Sequence, residues 1–142
     1  MSDDRTHVLV VEDDLLVLEM TQDALQLAGF EVTAVTAGED ALGLAVTDVP
    51  FDVLFTDIEL AGPMNGWELA ETMREMRPQI PVVYTSGRLS HPRTGEIRVP
   101  GSAFLPKPYS LFEVCRIMEQ MPIRRGDAPA AARRPALVAL AG

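Results

Sequence analysis

The feature that most constrains how this chain can fold is an alternation. Short apolar runs rich in β-branched residues trade places with stretches whose apolar residues recur at helical spacing. His7 to Val11 is the first such run, and it stops at Glu12, Asp13 and Asp14, as a buried parallel strand does on reaching a polar sheet edge. Leu15, Leu18, Ala24, Leu25 and Ala28 then follow at helical spacing until Gly29, a C-cap signal. Glu31 to Val35 reads as a second strand, and Thr36-Ala37-Gly38-Glu39 has capping-box spacing ahead of the helical stretch Ala41 to Val46. Val53 to Thr56 makes a third strand. Asn65 and Glu68 open a further helix, with Leu69, Met73 and Met76 on one face, before Pro78 closes it. Pro81 to Thr85 and Ala103 to Leu105 are the fourth and fifth strands, and Ser110 with Glu113 caps a last helix carrying Leu111, Val114, Ile117 and Met118. The helix expected between the last two strands falls on Ser86 to Gly101, where Pro92, Gly95 and Pro100 predict a short, distorted or mobile element. Five β-to-α alternations imply an α/β fold: a doubly wound, five-stranded parallel sheet with helices on both faces.

At 142 residues, nearly half of them apolar, the chain has material for one core and no second of similar bulk. Its formal charge of −9 is uneven: residues 122–142 hold Arg124, Arg125, Arg133 and Arg134 against Asp127, leaving the tail at +3 and the rest at −12. An acidic body is ill suited to nucleic acid, so no direct DNA binding is expected. No apolar run reaches the roughly 20 residues that cross a bilayer, and the acidic start Met1-Ser2-Asp3-Asp4-Arg5 lacks a signal peptide's apolar stretch. A cytoplasmic protein without membrane insertion is the expectation. The single cysteine, Cys115, lies among Val114 and Ile117 and reads as a structural thiol. The Ala-, Pro- and Arg-rich tail from Pro122 has few large apolar groups and is expected to be disordered.

In an open parallel sheet, functional side chains gather at the carboxyl ends of the strands, beside the reversal in strand order. The first strand delivers Glu12 and Asp13 there, the third Asp57 and the fifth Lys107. Each alone is unremarkable: acids after a strand are usually a solvated helix start, and an isolated Asp is usually a turn residue. Together they define a chemistry. Three carboxylates at close range favour proton uptake unless a cation sits among them, and a hard divalent ion such as Mg²⁺ suits oxygen ligands. A carboxylate so placed can attack phosphorus and form an acyl phosphate. Asp57 is the best-placed nucleophile. Lys107, the only lysine beside eleven arginines, supplies a compact charge that can pair first with the carboxylate and then with phosphoryl oxygen.

Four stretches carry a resemblance to the receiver domains of two-component response regulators, the chemotaxis-regulator-like, flavodoxin-like (βα)5 fold. Val8-Leu9-Val10-Val11-Glu12-Asp13-Asp14 resembles the first strand and acidic pocket, and Leu54-Phe55-Thr56-Asp57 the phosphorylation site. Pro81-Val82-Val83-Tyr84-Thr85-Ser86-Gly87 is similar to the fourth strand with its switch hydroxyl, and Phe104-Leu105-Pro106-Lys107-Pro108-Tyr109 to the final motif. The likeness covers residues 6–121, taken as the receiver domain, with 122–142 as the tail.

The resemblance implies a role for each position. Asp57 is the phosphoacceptor. Asp13 binds the metal directly, Glu12 directly or through water, Asp57 gives one oxygen and Glu59 its backbone carbonyl. Ser86 bonds the phosphoryl group, Phe104 is the aromatic switch residue, Asp14 starts a helix outside the pocket, and Lys107-Pro108 is a cis peptide. Two departures stand out: the loop from Asp57 to Gly66 is one residue longer than the commonest pattern, and the stretch before the fifth strand is proline-rich.

The function these readings support is a phosphorylation switch of the stand-alone type, loaded with Mg²⁺. A histidine kinase or histidine phosphotransfer protein donates to Asp57, and output passes to a downstream protein partner by contact or onward phosphotransfer. Such a domain catalyses only its own phosphorylation and dephosphorylation. One alternative is a metal-dependent phosphatase with an aspartyl-phosphate intermediate, but haloacid-dehalogenase enzymes usually carry an Asp where this chain has Glu59, and no cap domain is present. The other is a receiver-like interaction module that phosphate does not control. The complete set of acceptor, acids and lysine weighs against it.

Overall fold

The computed structural model describes residues 5–88 and 99–123. In chain order the elements are β1 (His7–Val11), α1 (Leu15–Leu27), β2 (Glu31–Val35), α2 (Gly38–Ala45), β3 (Val53–Asp57), α3 (Gly66–Met76), β4 (Val82–Ser86), β5 (Ala103–Pro106) and α4 (Leu111–Gln120). All strand pairings are parallel, in the order β2-β1-β3-β4-β5. This is the doubly wound, flavodoxin-like order, and it reverses between β1 and β3. The expected helix between β4 and β5 and the tail from residue 124 lie outside the described residues.

The apolar strands divide their side chains between two layers, because successive residues of a strand face opposite ways. Leu9 and Val11 of β1, Leu54 of β3, and Val82 and Tyr84 of β4 pack with Ala41 and Ala45 of α2 and Leu69, Ala70 and Met73 of α3. Val8, Val10, Val53, Phe55, Val83 and Leu105 meet Leu18 and Leu25 of α1 and Val114 and Met118 of α4 on the other face. A sheet covered twice explains why β1, β3 and β4 are almost continuously apolar rather than alternating.

Helix starts follow local chemistry with one correction. The Asp14 carboxylate accepts from the Leu16 and Val17 amides, and Asn65/Glu68 and Ser110/Glu113 form reciprocal capping boxes. The box expected at Thr36 does not form. There α2 begins at Gly38 with Ala37 as its cap residue and no side-chain cap. The Ala37 carbonyl takes the first helical bond, from the Ala41 amide, which leaves Thr36 one residue too early to serve. Glu39 and Asp40 in the first turn offset the helix dipole instead. At the end of α1 the cap residue is Ala28, and Gly29 follows with φ of 97°, the left-handed position that glycine tolerates.

Gly66 matters most for the site. As the first residue of α3 it lies against the end of β3, where an added Cβ would run into the Asp57 carbonyl oxygen and come within 2.8 Å of Ile58 Cα. Its amide donates to the Ile58 carbonyl at 2.8 Å. The helix therefore rests directly on the backbone that presents Asp57. Gly66→Ala is expected to destabilise the fold by about 3 kcal/mol or more, since backbone cannot swing aside. Gly43→Ala, in α2 with nothing within 4 Å of the new methyl, should gain about 0.5–1 kcal/mol. Urea unfolding of the two variants checks the contrast, and equal effects would refute the packing argument.

Candidate functional site

Strand register sets the site. Val11 pairs with Thr56, Asp57 with Thr85, and Ser86 with Pro106, so Glu12, Asp57, Ser86 and Lys107 all sit at the same carboxyl edge. Glu12 is buried just beyond β1, where its amide bonds the Val35 carbonyl. Asp57, the last residue of β3, is 4% exposed. The carboxylate oxygens of Glu12, Asp13 and Asp57 all lie within 4.8 Å of one another.

One ammonium holds two of these acids together. Lys107 Nζ is 2.8 Å from Glu12 Oε1 and 3.2 Å from Asp57 Oδ2. Burial alone would lower the lysine's pKa, but the hydrogen bond to Glu12 and the fields of Asp57 and Glu12 outweigh it and raise it. Asp57 moves the other way for an acid. Burial first, and repulsion from Glu12 second, push its carboxyl from 3.8 up to about 7, against the opposing pull of Lys107. Three acids thus face a single lysine in the pocket. That excess of acid, with three carboxylates converging, is the chemistry of a divalent cation site, and the donor set fits Mg²⁺.

Backbone amides steady the acids. The Asp14 amide donates to Glu12 Oε2 at 3.1 Å, the Glu59 amide to Asp57 Oδ1 at 3.3 Å, and the Ala61 amide to Asp13 Oδ2 at 2.7 Å. The last contact lies in the loop after Asp57, which turns at Gly62 with φ of 94°. Asp14 caps α1 and is exposed, as expected of a helix-start residue. The Lys107-Pro108 peptide is cis, as the resemblance implied.

Two contacts at the site were not anticipated. Ser86 is fully buried, and its hydroxyl donates to both oxygens of the Glu59 carboxylate, at 2.9 and 2.7 Å, while accepting from the Arg88 amide at 3.0 Å. The resemblance implies a backbone role alone for Glu59 in the receiver pocket, and 27 residues separate this pair. Nothing local signals it; only the adjacency of β3 and β4 brings the two together. The second contact joins the Tyr109 and Thr21 hydroxyls at 2.6 Å, tying the loop that carries Lys107 to α1. Tyr109 also sets its ring edge-on to Phe55, with centroids 5.9 Å apart. Phe104 is half-buried in β5 against the α2/α3 core that contains Tyr84. Cys115 is partly buried on the opposite face, and burial raises its thiol, which suits a packing residue. A groove of about 690 Å³, bordered by Thr47 to Asp52 and Met76 to Ile80, opens at the other sheet edge and contains none of the candidate residues.

The raised Asp57 carboxyl has a consequence for stability. The folded chain holds that proton more tightly than the unfolded one, so the contribution of this group to stability is fully present below pH 3.8, is lost as the unfolded chain's Asp57 ionises while the folded one stays protonated, and levels off above about 7. In EDTA, the contribution of Asp57 to the unfolding free energy should fall as pH rises from about 4 to about 7. Asp57→Asn should flatten that slope. The same slope in both proteins would show that Asp57 is ionised at its ordinary pKa.

Comparison with known proteins agrees with this geometry. Residues 8–119 match the family described as the response regulator receiver domain. Response regulator SaeR of Staphylococcus epidermidis and of Staphylococcus aureus are each 26% identical over 110 residues, 77% of this chain and 47% of theirs. The chain therefore spans about half the length of these relatives. Among solved structures, a response regulator receiver protein from Sinorhizobium medicae superposes with a TM-score of 0.75 at 31% identity, covering 82% of this chain and 93% of that one. The Vibrio cholerae chemotaxis protein CheY4 also gives 0.75, at 25% identity, with 82% and 98% covered. By sequence, strand order and superposition alike, the chain belongs to the receiver-domain family of two-component response regulators.

Proposed function

We propose that the chain is a phosphorylation-dependent signalling switch in which Asp57 takes a phosphoryl group from the phosphohistidine of a histidine kinase or histidine phosphotransfer protein. The observation that carries this reading is the placement of one buried carboxylate at the sheet edge, 3.2 Å from a lysine and converging with two further acids. In the transfer, an Asp57 oxygen forms a bond to phosphorus as the P–N bond to the donor imidazole breaks, and the imidazole leaves. Lys107 then passes from its carboxylate partners toward a phosphoryl oxygen, which its single-point charge can follow without a change of fork geometry.

Glu12, Asp13, Asp57 and the Glu59 carbonyl would hold Mg²⁺. The ion supplies charge neutralisation on the phosphoryl oxygens. Ser86 turns its hydroxyl to the new phosphoryl group, and Phe104 moves into the vacated space, shifting the balance between two packings that a downstream protein partner reads. No helix among the described residues is long and apolar enough to cross a membrane. The charge of −12 outside the tail, from an overall −9, favours protein partners over nucleic acid phosphates.

Two sets of variants test the assignment. With Mg²⁺ and acetyl phosphate, intact-mass measurement should show one added phosphoryl group on the parent and none on Asp57→Asn. Undiminished labelling of that variant would place the acceptor elsewhere. Asp13→Asn and Lys107→Arg should both be labelled more slowly by about tenfold or more, the first through loss of a metal ligand and the second because a planar guanidinium does not fit a site shaped around an ammonium. Parent-like labelling rates would remove those roles.

A further inference from the structure

The Glu59–Ser86 contact changes what the switch has to do. A serine hydroxyl has one proton to donate, and here both carboxylate oxygens of Glu59 take it, at 2.9 and 2.7 Å. A charge-assisted bond between a buried hydroxyl and a carboxylate is among the stronger hydrogen bonds a protein makes. A phosphoryl group on Asp57 would need that same proton. The two acceptors are therefore mutually exclusive.

Glu59 is also placed to feel the new group. Its amide donates to Asp57 Oδ1 at 3.3 Å, so the residue braces the acceptor with its backbone while its side chain holds the switch hydroxyl. A phosphoryl dianion on Asp57 would lie close to the Glu59 carboxylate and repel it. Ser86 has no exposed surface, whereas Glu59 is half-buried, so the acid and not the serine has a path into solvent.

Resting on the assignment of Asp57 as phosphoacceptor, we propose that the Glu59 side chain is a latch that holds Ser86 in the unphosphorylated position and must be displaced before the switch can close. Glu59 acts through Ser86 and is a positioning residue. The latch opposes phosphorylation because part of the favourable energy of the new Ser86–phosphoryl bond goes into breaking the old one. It also gives the receiver a threshold of its own, separate from the metal site. Neutralising the side chain leaves the backbone carbonyl in place, so Glu59→Gln separates the latch from any part that carbonyl plays in holding Mg²⁺.

The test is a double-mutant cycle. Parent, Glu59→Gln, Ser86→Ala and the double variant are titrated with acetyl phosphate in Mg²⁺, and the phosphorylated fraction is read by intact mass. Glu59→Gln, whose amide oxygen still accepts from Ser86 but without the charge, should lower the half-saturating acetyl phosphate by about threefold to tenfold where Ser86 is present, the difference between a charge-assisted and a neutral hydrogen bond. In the Ser86→Ala background the same substitution should change it by less than about twofold, and Ser86→Thr, which keeps the hydroxyl, should restore the sensitivity. An equal shift in both backgrounds would overturn the latch, because it would make Glu59 a plain source of repulsion. No shift in either would overturn it as well. Absence of labelling on the parent would instead defeat the acceptor assignment, and the latch with it, so the two failures are told apart by the parent alone.

Discussion

A single ammonium between two buried carboxylates is the interaction around which this domain is organised. Glu12 and Asp57 come from adjacent strands and would repel each other across the sheet edge without Lys107, whose amine reaches both within 3.2 Å. The balance is incomplete, since Asp13 adds a third acid to the group and the Asp57 carboxyl stays raised. A pocket left electron-rich in this way is ready to accept a cation, and with it an electrophile. Much of the surrounding architecture keeps these groups at a fixed spacing. The register of β1 and β3 sets the two acids side by side, Gly66 lets α3 close on the Asp57 backbone, and the Tyr109–Thr21 pair fastens the lysine's loop to α1.

Burial and charge pull against each other at this edge, and the protein resolves the conflict with backbone amides. Each of the three acids accepts one, from Asp14, Ala61 and Glu59 in turn. Such donors bring no net charge, so they steady the carboxylates without cancelling the field that draws a cation in. The loop after Asp57 delivers the Ala61 amide to Asp13.

Much of this was legible in the order of residues, for physical reasons that differ from place to place. Strands buried on both faces leave unbroken apolar runs, so β1, β3 and β4 announce themselves, and an acid following such a run is nearly certain to sit at the sheet edge. Helix caps are equally local: Asn65 with Glu68 and Ser110 with Glu113 lie three residues apart and form as their spacing implies. Thr36 shows the limit of that reasoning, since a capping box is one of several ways to start a helix and Gly38 with two acids offers another. The Glu59–Ser86 and Thr21–Tyr109 bonds were out of reach for a different reason. Their partners are 27 and 88 residues apart, and only the completed sheet makes them neighbours.

The two hydrophobic layers have an implication for how one small protein can face two kinds of partner. Phe104, Tyr84 and Trp67 pack into the α2/α3 core, while Tyr109, Phe55 and Leu105 belong to the α1/α4 core, and the sheet separates them. Phe104 and its aromatic neighbours thus lie on one side of a partition, and the brace that holds the lysine lies on the other. Under the switch proposed above, a movement of Phe104 would alter only one wall, and a partner on the other would meet the same surface in either state. Sequence drift should then run at unequal rates on the two sides, slow where constancy is demanded of the packing and faster where a lineage acquires a new listener.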